Sequence, residues 1–429
     1  MEALYWFVVL FALLFLGMPI SFGLAIVGFV GFGVNVGWVP AASMVAQVTV
    51  DTADAYDLSV LPLFVLMGSL VSQARLSEQL YAFTNALVGH RRGGLAMATV
   101  MACGGFAAVC GSSLATAATM SKVTMPSMRR YRYSDELATA SIAAGGTLGI
   151  LIPPSIILVI YGVMTESDIG KLFIAGILPG ILGVLLYMGA VAATIALNPL
   201  AGPPGERASW LERARTFRGI WGVVALFALV MGGIYGGVFT PTEAAGIGAV
   251  GAFVFALVRR TLTFRMLFEV LLDTARTTGM LMFLVIAAMV FSNLVIITGA
   301  PNVITNWMTG LDISPLAVIF IIVGIYVALG CVFESLAMML VTVPLFYPLV
   351  QGLGFDLIWF GIIIVVVIEI SMITPPIGVN VFVLKSAIPD VPMRKIFIGL
   401  VPFIGVDIVR VVLLVLFPGI ALYLPSLMR

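Results

Sequence analysis

Apolar runs of 18 or more residues recur from one end of this 429-residue chain to the other. Each is long enough to cross a bilayer core of about 30 Å as a helix. A segment in hydrocarbon must satisfy its own backbone, so the chain is expected to fold as a helix bundle. An outer-membrane barrel does not need runs of this length. Charged residues are only 10% of the chain, against about 25% in soluble domains, too few to solvate a surface of this size. A net charge of +1 argues against a nucleic-acid binder, and three Cys argue against a disulfide scaffold. The fold class is read as an all-α polytopic membrane protein. Met1-Glu2-Ala3-Leu4-Tyr5 lacks a basic n-region and a small-residue cleavage site, so a retained first helix is expected.

Hydrophobic runs predict helices near 4–18, 20–37, 57–74, 93–110, 112–126, 134–163, 172–198, 219–238, 241–258, 277–298, 314–331, 333–350, 357–384 and 396–424. The least apolar stretch, 199–218, carries Pro203-Pro204 and four Arg and reads as a linker between halves 1–198 and 219–429. A shift of 222 residues carries Pro19 onto Pro241, Ser113-Leu114-Ala115 onto Ser335-Leu336-Ala337, Pro126 onto Pro348, and Pro153-Pro154 onto Pro375-Pro376. An internal duplication in a membrane protein points first to a transporter.

Positive charge marks the cytoplasmic side. Arg75, Arg91 and Arg92 put 75–92 inside, and Arg129, Arg130 and Arg132 put the exit of 93–126 on the same side. Segment 93–126 is therefore read as a re-entrant hairpin, with full crossings the alternative that hydropathy does not separate from it. Under that rule 38–56, 164–171, 299–313, 351–356 and the C-terminus fall outside, with Lys171 and Arg429 their only basic residues, and the N-terminus is periplasmic. Lys122 and Arg410 lie within membrane segments. The second hairpin, 314–350, opens outward between Asp312 and Asp356. Five crossings and one hairpin per half make the repeats inverted.

The first tip is expected at Cys110-Gly111-Ser112-Ser113, followed by Thr116 and Thr119. Gly and Ser let the backbone turn there, and freed carbonyls and hydroxyls can replace the water shell of a small cation. The returning helix offers N–H groups to an anion. Close packing by small residues is the alternative. The second tip reads Cys331-Val332-Phe333-Glu334-Ser335. A carboxylate at membrane depth costs about 2.5–3.5 kcal/mol on insertion scales, so Glu334 needs a cation or a helix-end amide. Two helices are broken: Gly145-Gly146-Thr147 leads into Pro153-Pro154-Ser155, and Thr374-Pro375-Pro376-Ile377-Gly378 leads to Asn380. Proline frees the carbonyls before it. Discontinuous helices at repeat-related positions point to a midplane site, and their hard oxygen donors suit Na⁺.

Asp407 and Arg410, three apart, can neutralise each other, and Glu369 has no obvious partner. Glu243, after Thr240-Pro241-Thr242, is expected to cap a helix. Segment 77–90 is expected to lie along the interface as an amphipathic arm.

Gly93-Gly94-Leu95-Ala96-Met97-Ala98-Thr99, Gly111-Ser112-Ser113 and Gly145-Gly146-Thr147-Leu148-Gly149-Ile150-Leu151-Ile152-Pro153-Pro154-Ser155 resemble the large membrane subunit of tripartite ATP-independent periplasmic (TRAP) transporters, essentially end to end. Thr374-Pro375-Pro376-Ile377-Gly378-Val379-Asn380 and Thr240-Pro241-Thr242-Glu243-Ala244 resemble the same family. The resemblance implies Na⁺-coupled import of a carboxylate-type solute (a C4-dicarboxylate, sialic acid or another organic acid) across the inner membrane, with no enzymatic activity. It implies a periplasmic substrate-binding protein and a small membrane subunit as a separate chain. It also implies an elevator, in which both hairpins and the broken helices 134–163 and 357–384 slide against a scaffold of 1–74, 219–298 and the last helix 396–424. The candidate solute and ion residues are Gly111, Ser112, Ser113, Thr116, Gly145, Gly146, Thr147, Pro153, Pro154, Ser155, Glu334, Ser335, Thr374, Pro375, Pro376, Gly378 and Asn380. Among them Ser113, Gly146, Glu334, Ser335, Thr374 and Gly378 are the candidates for Na⁺. The rival within transport is a self-sufficient Na⁺/dicarboxylate symporter. An intramembrane transferase would want paired acids for Mg²⁺, whereas the embedded acids here are scattered singly.

Overall fold

The computed structural model describes residues 2–73, 76–309, 313–330 and 333–428. Arg75, Asp312, Cys331, Val332 and Arg429, all invoked above, lie outside the described residues. Among the described residues every regular element is a helix, and seven helices are long and apolar enough to cross a membrane. Large apolar side chains such as Leu185, Trp221, Val250 and Val401 stand exposed on the outside, as they would against lipid.

The duplication is carried by whole elements. Shifting Ser113–Arg130 by 222 residues gives the bounds of Ser335–Gly352. Within three residues at each end, the same shift carries Gly94–Cys110 onto Pro315–Gly330 and Asp135–Thr147 onto Leu357–Ser371. It likewise carries Ile156–Thr165 onto Val379–Ala387 and Ile169–Leu197 onto Met393–Leu416. Packing between the halves is reciprocal. Ile20–Val36 lies on Phe264–Ile297, and Pro241–Val258 lies on Val60–Gln73. Asp135–Thr147 lies on Met393–Leu416, and Leu357–Ser371 lies on Ile169–Leu197. Ser113–Arg130 meets Val379–Ala387, and Ser335–Gly352 meets Ile156–Thr165. Reciprocity of this kind is what a two-fold relation between the halves requires.

Several elements depart from the hydropathy reading. Segments 38–56 and 299–313 contain the helices Trp38–Asp54 and Ala300–Thr309. Polar residues such as Gln47, Thr49 and Asp51 kept the first below the apolar level of a span, but a helix need not span to form. The linker 199–218 is helical from Trp210, where the Ser209 hydroxyl accepts the Glu212 amide at 3.2 Å. The run 277–298 is the end of a 34-residue helix, Phe264–Ile297. At 1.5 Å per residue that helix is about 51 Å long, so it outreaches the hydrocarbon or tilts. The last run divides at Phe417-Pro418 into Met393–Leu416 and Gly419–Ser426. Segment 77–90 forms Leu76–Val88, which packs between Gly94–Cys110 and Trp210–Tyr235 and buries Leu76, Leu80 and Tyr81. It bridges the first hairpin and the second half. Thr240 and Glu243 close a capping box, as their spacing predicts.

Candidate functional site

The first tip is built by local backbone chemistry. Gly111 ends Gly94–Cys110 in the left-handed region, at φ +63°. Ser112 is extended and caps the next helix, its Oγ accepting from the Ala115 amide at 3.4 Å. The Thr116 hydroxyl donates back to the Ser112 carbonyl at 2.7 Å. The tip then seats on the first broken helix, backbone against backbone. A Cβ on Gly111 would lie 2.8 Å from the Pro154 carbonyl oxygen, and one on Gly149 would lie 2.9 Å from that of Ser112. Gly145 and Gly146 seat the two hairpin arms. A Cβ on the first would lie 2.9 Å from Cys103 Sγ, and one on the second 2.9 Å from Ala117 Cβ.

Both broken helices open where the sequence predicts. Asp135–Thr147 tightens into a 3₁₀ turn at Leu148–Ile150, and the chain re-enters helix at Ile156. Pro153 and Pro154 have no amide to donate. The Ser155 hydroxyl donates to the Ile150 carbonyl, and its oxygen accepts from Leu158 N at 3.3 Å. In the second half, Leu357–Ser371 gives way to Val379–Ala387 through Gly378, at φ +56°. The Thr374 hydroxyl donates to Ile370 O at 2.6 Å. The two breaks differ in surroundings. Pro153, Pro154 and Ser155 are buried, whereas Pro375 and Pro376 are exposed. The Pro153-Pro154 and Pro375-Pro376 bonds are both cis.

One side chain ties these pieces together. Asn380, fully buried, opens the second half of the second broken helix, its amide donating to Met372 O at 3.1 Å. Its Nδ2 donates to Ser113 Oγ at 2.8 Å and to the Ala143 carbonyl at 3.1 Å. The Ser113 hydroxyl donates to Asn380 Oδ1 at 3.1 Å. The first tip, the first broken helix and the second break thus meet at Asn380. The second tip is arranged differently. A Cβ on Gly330 would lie 2.2 Å from Ser371 Cβ, so the incoming arm abuts the second broken helix. Ser335 is buried, and Glu334 is exposed at the N-cap of Ser335–Gly352. Among the described residues no hydrogen bond joins Glu334 or Ser335 to Thr374, Gly378 or the first tip. Thr147 also turns away from the tip, its hydroxyl meeting the Tyr187 hydroxyl at 3.2 Å.

Glu369, which has no obvious partner in the sequence, is ion-paired with Arg410. The local pair is the longer one, Arg410 Nε to Asp407 Oδ1 at 3.6 Å. Asp407 accepts from the Tyr187 hydroxyl at 2.6 Å, and all three charged side chains are buried. The network runs from Thr147 at the end of one broken helix to Glu369 near the end of the other. A signal was available, because the 222-residue shift carries Thr147 onto Glu369.

The chain matches the family described as tripartite ATP-independent periplasmic transporter, DctM component, over residues 7–420. It is 38% identical to the C4-dicarboxylate TRAP transporter large permease protein DctM of Pseudomonas aeruginosa, over 88% of each chain. It is 32% identical to the sialic acid TRAP transporter large permease protein SiaM of Vibrio cholerae, over 97% of this chain and 96% of that one. An isethionate TRAP permease of Oleidesulfovibrio alaskensis, named DctMQ, is 32% identical over 96% of this chain and 64% of its own. In fold the chain is similar to the crystal structure of the Alcanivorax borkumensis YdaH transporter, with a TM-score of 0.65 at 15% identity over 89% of each chain. With that coverage and identity, the chain belongs to the TRAP transporter family as a large permease subunit, a multi-pass membrane protein.

Proposed function

We propose that this chain carries out Na⁺-coupled import of a carboxylate-type organic solute across the inner membrane, by an elevator motion. It would receive the solute from a periplasmic binding protein and work with a small membrane subunit. The observation that carries the reading is the Ser113–Asn380 pair, which bonds the hairpin tip of one half to the broken helix of the other. Solute there would see hydroxyl, amide and freed carbonyl groups together with the N-terminus of Ser113–Arg130. Na⁺, as cargo, would be held by hard oxygens. Ser113 and Gly146 serve beside the first tip, and Glu334, Ser335, Thr374 and Gly378 beside the second. The Thr374 hydroxyl spends its proton on Ile370 O, which leaves its oxygen lone pairs free to meet a cation.

The moving core would hold both hairpins, both broken helices, and the long helices Ile169–Leu197 and Met393–Leu416. The family resemblance groups the last of these, within 396–424, with the scaffold instead. Its packing on Asp135–Thr147 and Leu357–Ser371, and the Arg410–Glu369 pair, favour the core. The scaffold would be the early helices of each half, within 2–73 and 210–297.

Uptake into proteoliposomes holding this chain and the small subunit tests the reading. C4-dicarboxylates and sialic acid would be offered with and without an inward Na⁺ gradient and the binding protein. Uptake is expected to require both. Uptake without the binding protein would instead support a self-sufficient symporter, and a proton-driven signal would overturn the ion. Topology has its own test. Asp51→Cys and Arg207→Cys, both at exposed positions, are expected to react with impermeant thiol reagents from the periplasmic and cytoplasmic faces respectively. Reaction from one shared face would refute the inverted arrangement and the periplasmic N-terminus.

A further inference from the structure

The helix Leu76–Val88 stands between the first hairpin and the scaffold helix Trp210–Tyr235, and its two sides are held differently. On the hairpin side it is close and bonded. The Thr84 hydroxyl donates to Ala98 O at 2.8 Å, and a Cβ on Gly105 would lie 3.3 Å from Leu80 Cδ2. On the other side the Phe83 ring meets Phe217, and Gln79 Oε1, beside Gly219, has no hydrogen-bond partner among the described residues. Among those residues one hydrogen bond joins the two helices, from Arg213 Nε to the Ala86 carbonyl at 3.1 Å. Ala86 is in the last turn of its helix, where carbonyls run out of helical donors and a cation suits the dipole. Arg213 is half-buried, its Cζ 5.0 Å from the Trp210 ring, whereas Arg207, Arg215 and Arg218 nearby are exposed.

The linker between the halves is tied to the same body. Its Gly202 carbonyl accepts from Gly93 N at 2.8 Å and its Ala201 carbonyl from Ser134 N at 2.9 Å, so it closes the base of the first hairpin at both ends. Gly205 N donates to Gly89 O at 2.9 Å, just past the end of Leu76–Val88. The clasp is too close for a side chain, since a Cβ on Gly202 would lie 2.7 Å from Ile195 Cδ1 and 3.1 Å from Gly93 Cα. Beyond Gly205 the backbone of 206–208 makes no hydrogen bond among the described residues, and Ser209 then caps the scaffold helix. We propose that Leu76–Val88 travels with the moving core, clasped to linker residues 201–205, and that 206–209 is the pivot. Arg213 is then the latch by which the scaffold holds the core in this position. Sliding of the core would carry Ala86 away from Arg213 and leave the clasp intact. The proposal rests on the elevator reading above.

Pulsed EPR on the full chain in liposomes tests it, with Cys103, Cys110 and Cys331 replaced. Spin labels go on Ala82→Cys in the bridging helix and Phe264→Cys on the scaffold, both at exposed positions. The parent is expected to show two distances. Arg213→Met keeps much of the bulk and loses the donor, and is expected to shift their ratio about tenfold away from the latched distance, the scale of one bond from a charged donor. Arg213→Lys keeps a cation and is expected to shift it less. A ratio that Arg213→Met leaves unchanged overturns the latch. One distance common to the parent and Arg213→Met overturns the assignment of the helix to the core. Hydrogen exchange reads the clasp: the Gly93 and Gly205 amides are expected to be protected with and without Na⁺, and exchange as fast as at Arg207 overturns it. Neither measurement needs uptake. Protein that imports but keeps one fixed distance loses this proposal and keeps the import reading, whereas two distances without Na⁺-driven uptake do the reverse.

Discussion

Arg410→Met should destabilise the protein by about 3–5 kcal/mol, because it leaves Glu369 and Asp407 buried without a counter-charge. Both carboxylates are in the interior of the bundle, and Arg410 is the charged partner of each. The guanidinium fills a slot made for it. A Cβ on Gly183 would lie 2.1 Å from Arg410 Nη1, and the Tyr187 ring lies 5.8 Å from its Cζ. Methionine would fill much of the same volume, so the loss measures charge and not a cavity. The double replacement Glu369→Gln with Arg410→Met is expected to recover much of the loss, since removing both charges of a buried pair is often close to neutral. Asp407 would keep the hydroxyl of Tyr187. Thermal unfolding of the purified protein in detergent, followed by tryptophan fluorescence and size exclusion, reads the result. An Arg410→Met protein with the wild-type midpoint would show that the network does not hold the broken helices to the long ones.

That network also marks where the sequence stops being legible. The repeat, the tips and the breaks could be read because each has a local cause: a left-handed Gly111, a Ser112 cap, prolines without amides. Glu369 and Arg410 are 41 residues apart on separate helices, and nothing in either helix's periodicity says that they meet. The 222-residue shift helps only once Thr147 and Glu369 are compared as a pair. Trp38–Asp54 was hidden for a different reason. Hydropathy asks whether a segment can span, and this helix, mostly exposed, does not have to. The contrast between the buried first break and the exposed second one arises from packing, and Pro-Pro pairs of equal composition cannot announce it. The role of Gly145 and Gly146 follows the same pattern. Their type alone does not say what they pack against, and their contacts show that they admit Cys103 and Ala117.

Asn380→Ala is expected to lower initial uptake by tenfold or more, with Ser113→Ala costing less and the double variant no worse than Asn380→Ala alone. The Asn380 side chain holds two partners, the Ser113 hydroxyl and the Ala143 carbonyl. Its removal leaves a buried hydroxyl and a buried carbonyl short of a partner, each worth about 1–3 kcal/mol. Loss of both would let the tip and the second break drift apart, and a misplacement of about 1 Å can reduce a rate a hundredfold. Ser113→Ala removes the bonds the two side chains exchange but leaves Asn380 held by Ala143 and by its own amide on Met372. Because the two side chains bond to each other, their effects should overlap, with a coupling of about 0.5–3 kcal/mol. The cycle is read in initial rates of uptake at saturating and limiting Na⁺, with membrane insertion checked by size exclusion. Additive losses would mean that Ser113 and Asn380 act separately. Uptake unchanged in Asn380→Ala would remove the pair from the transport site, while leaving the helices that carry it where they are.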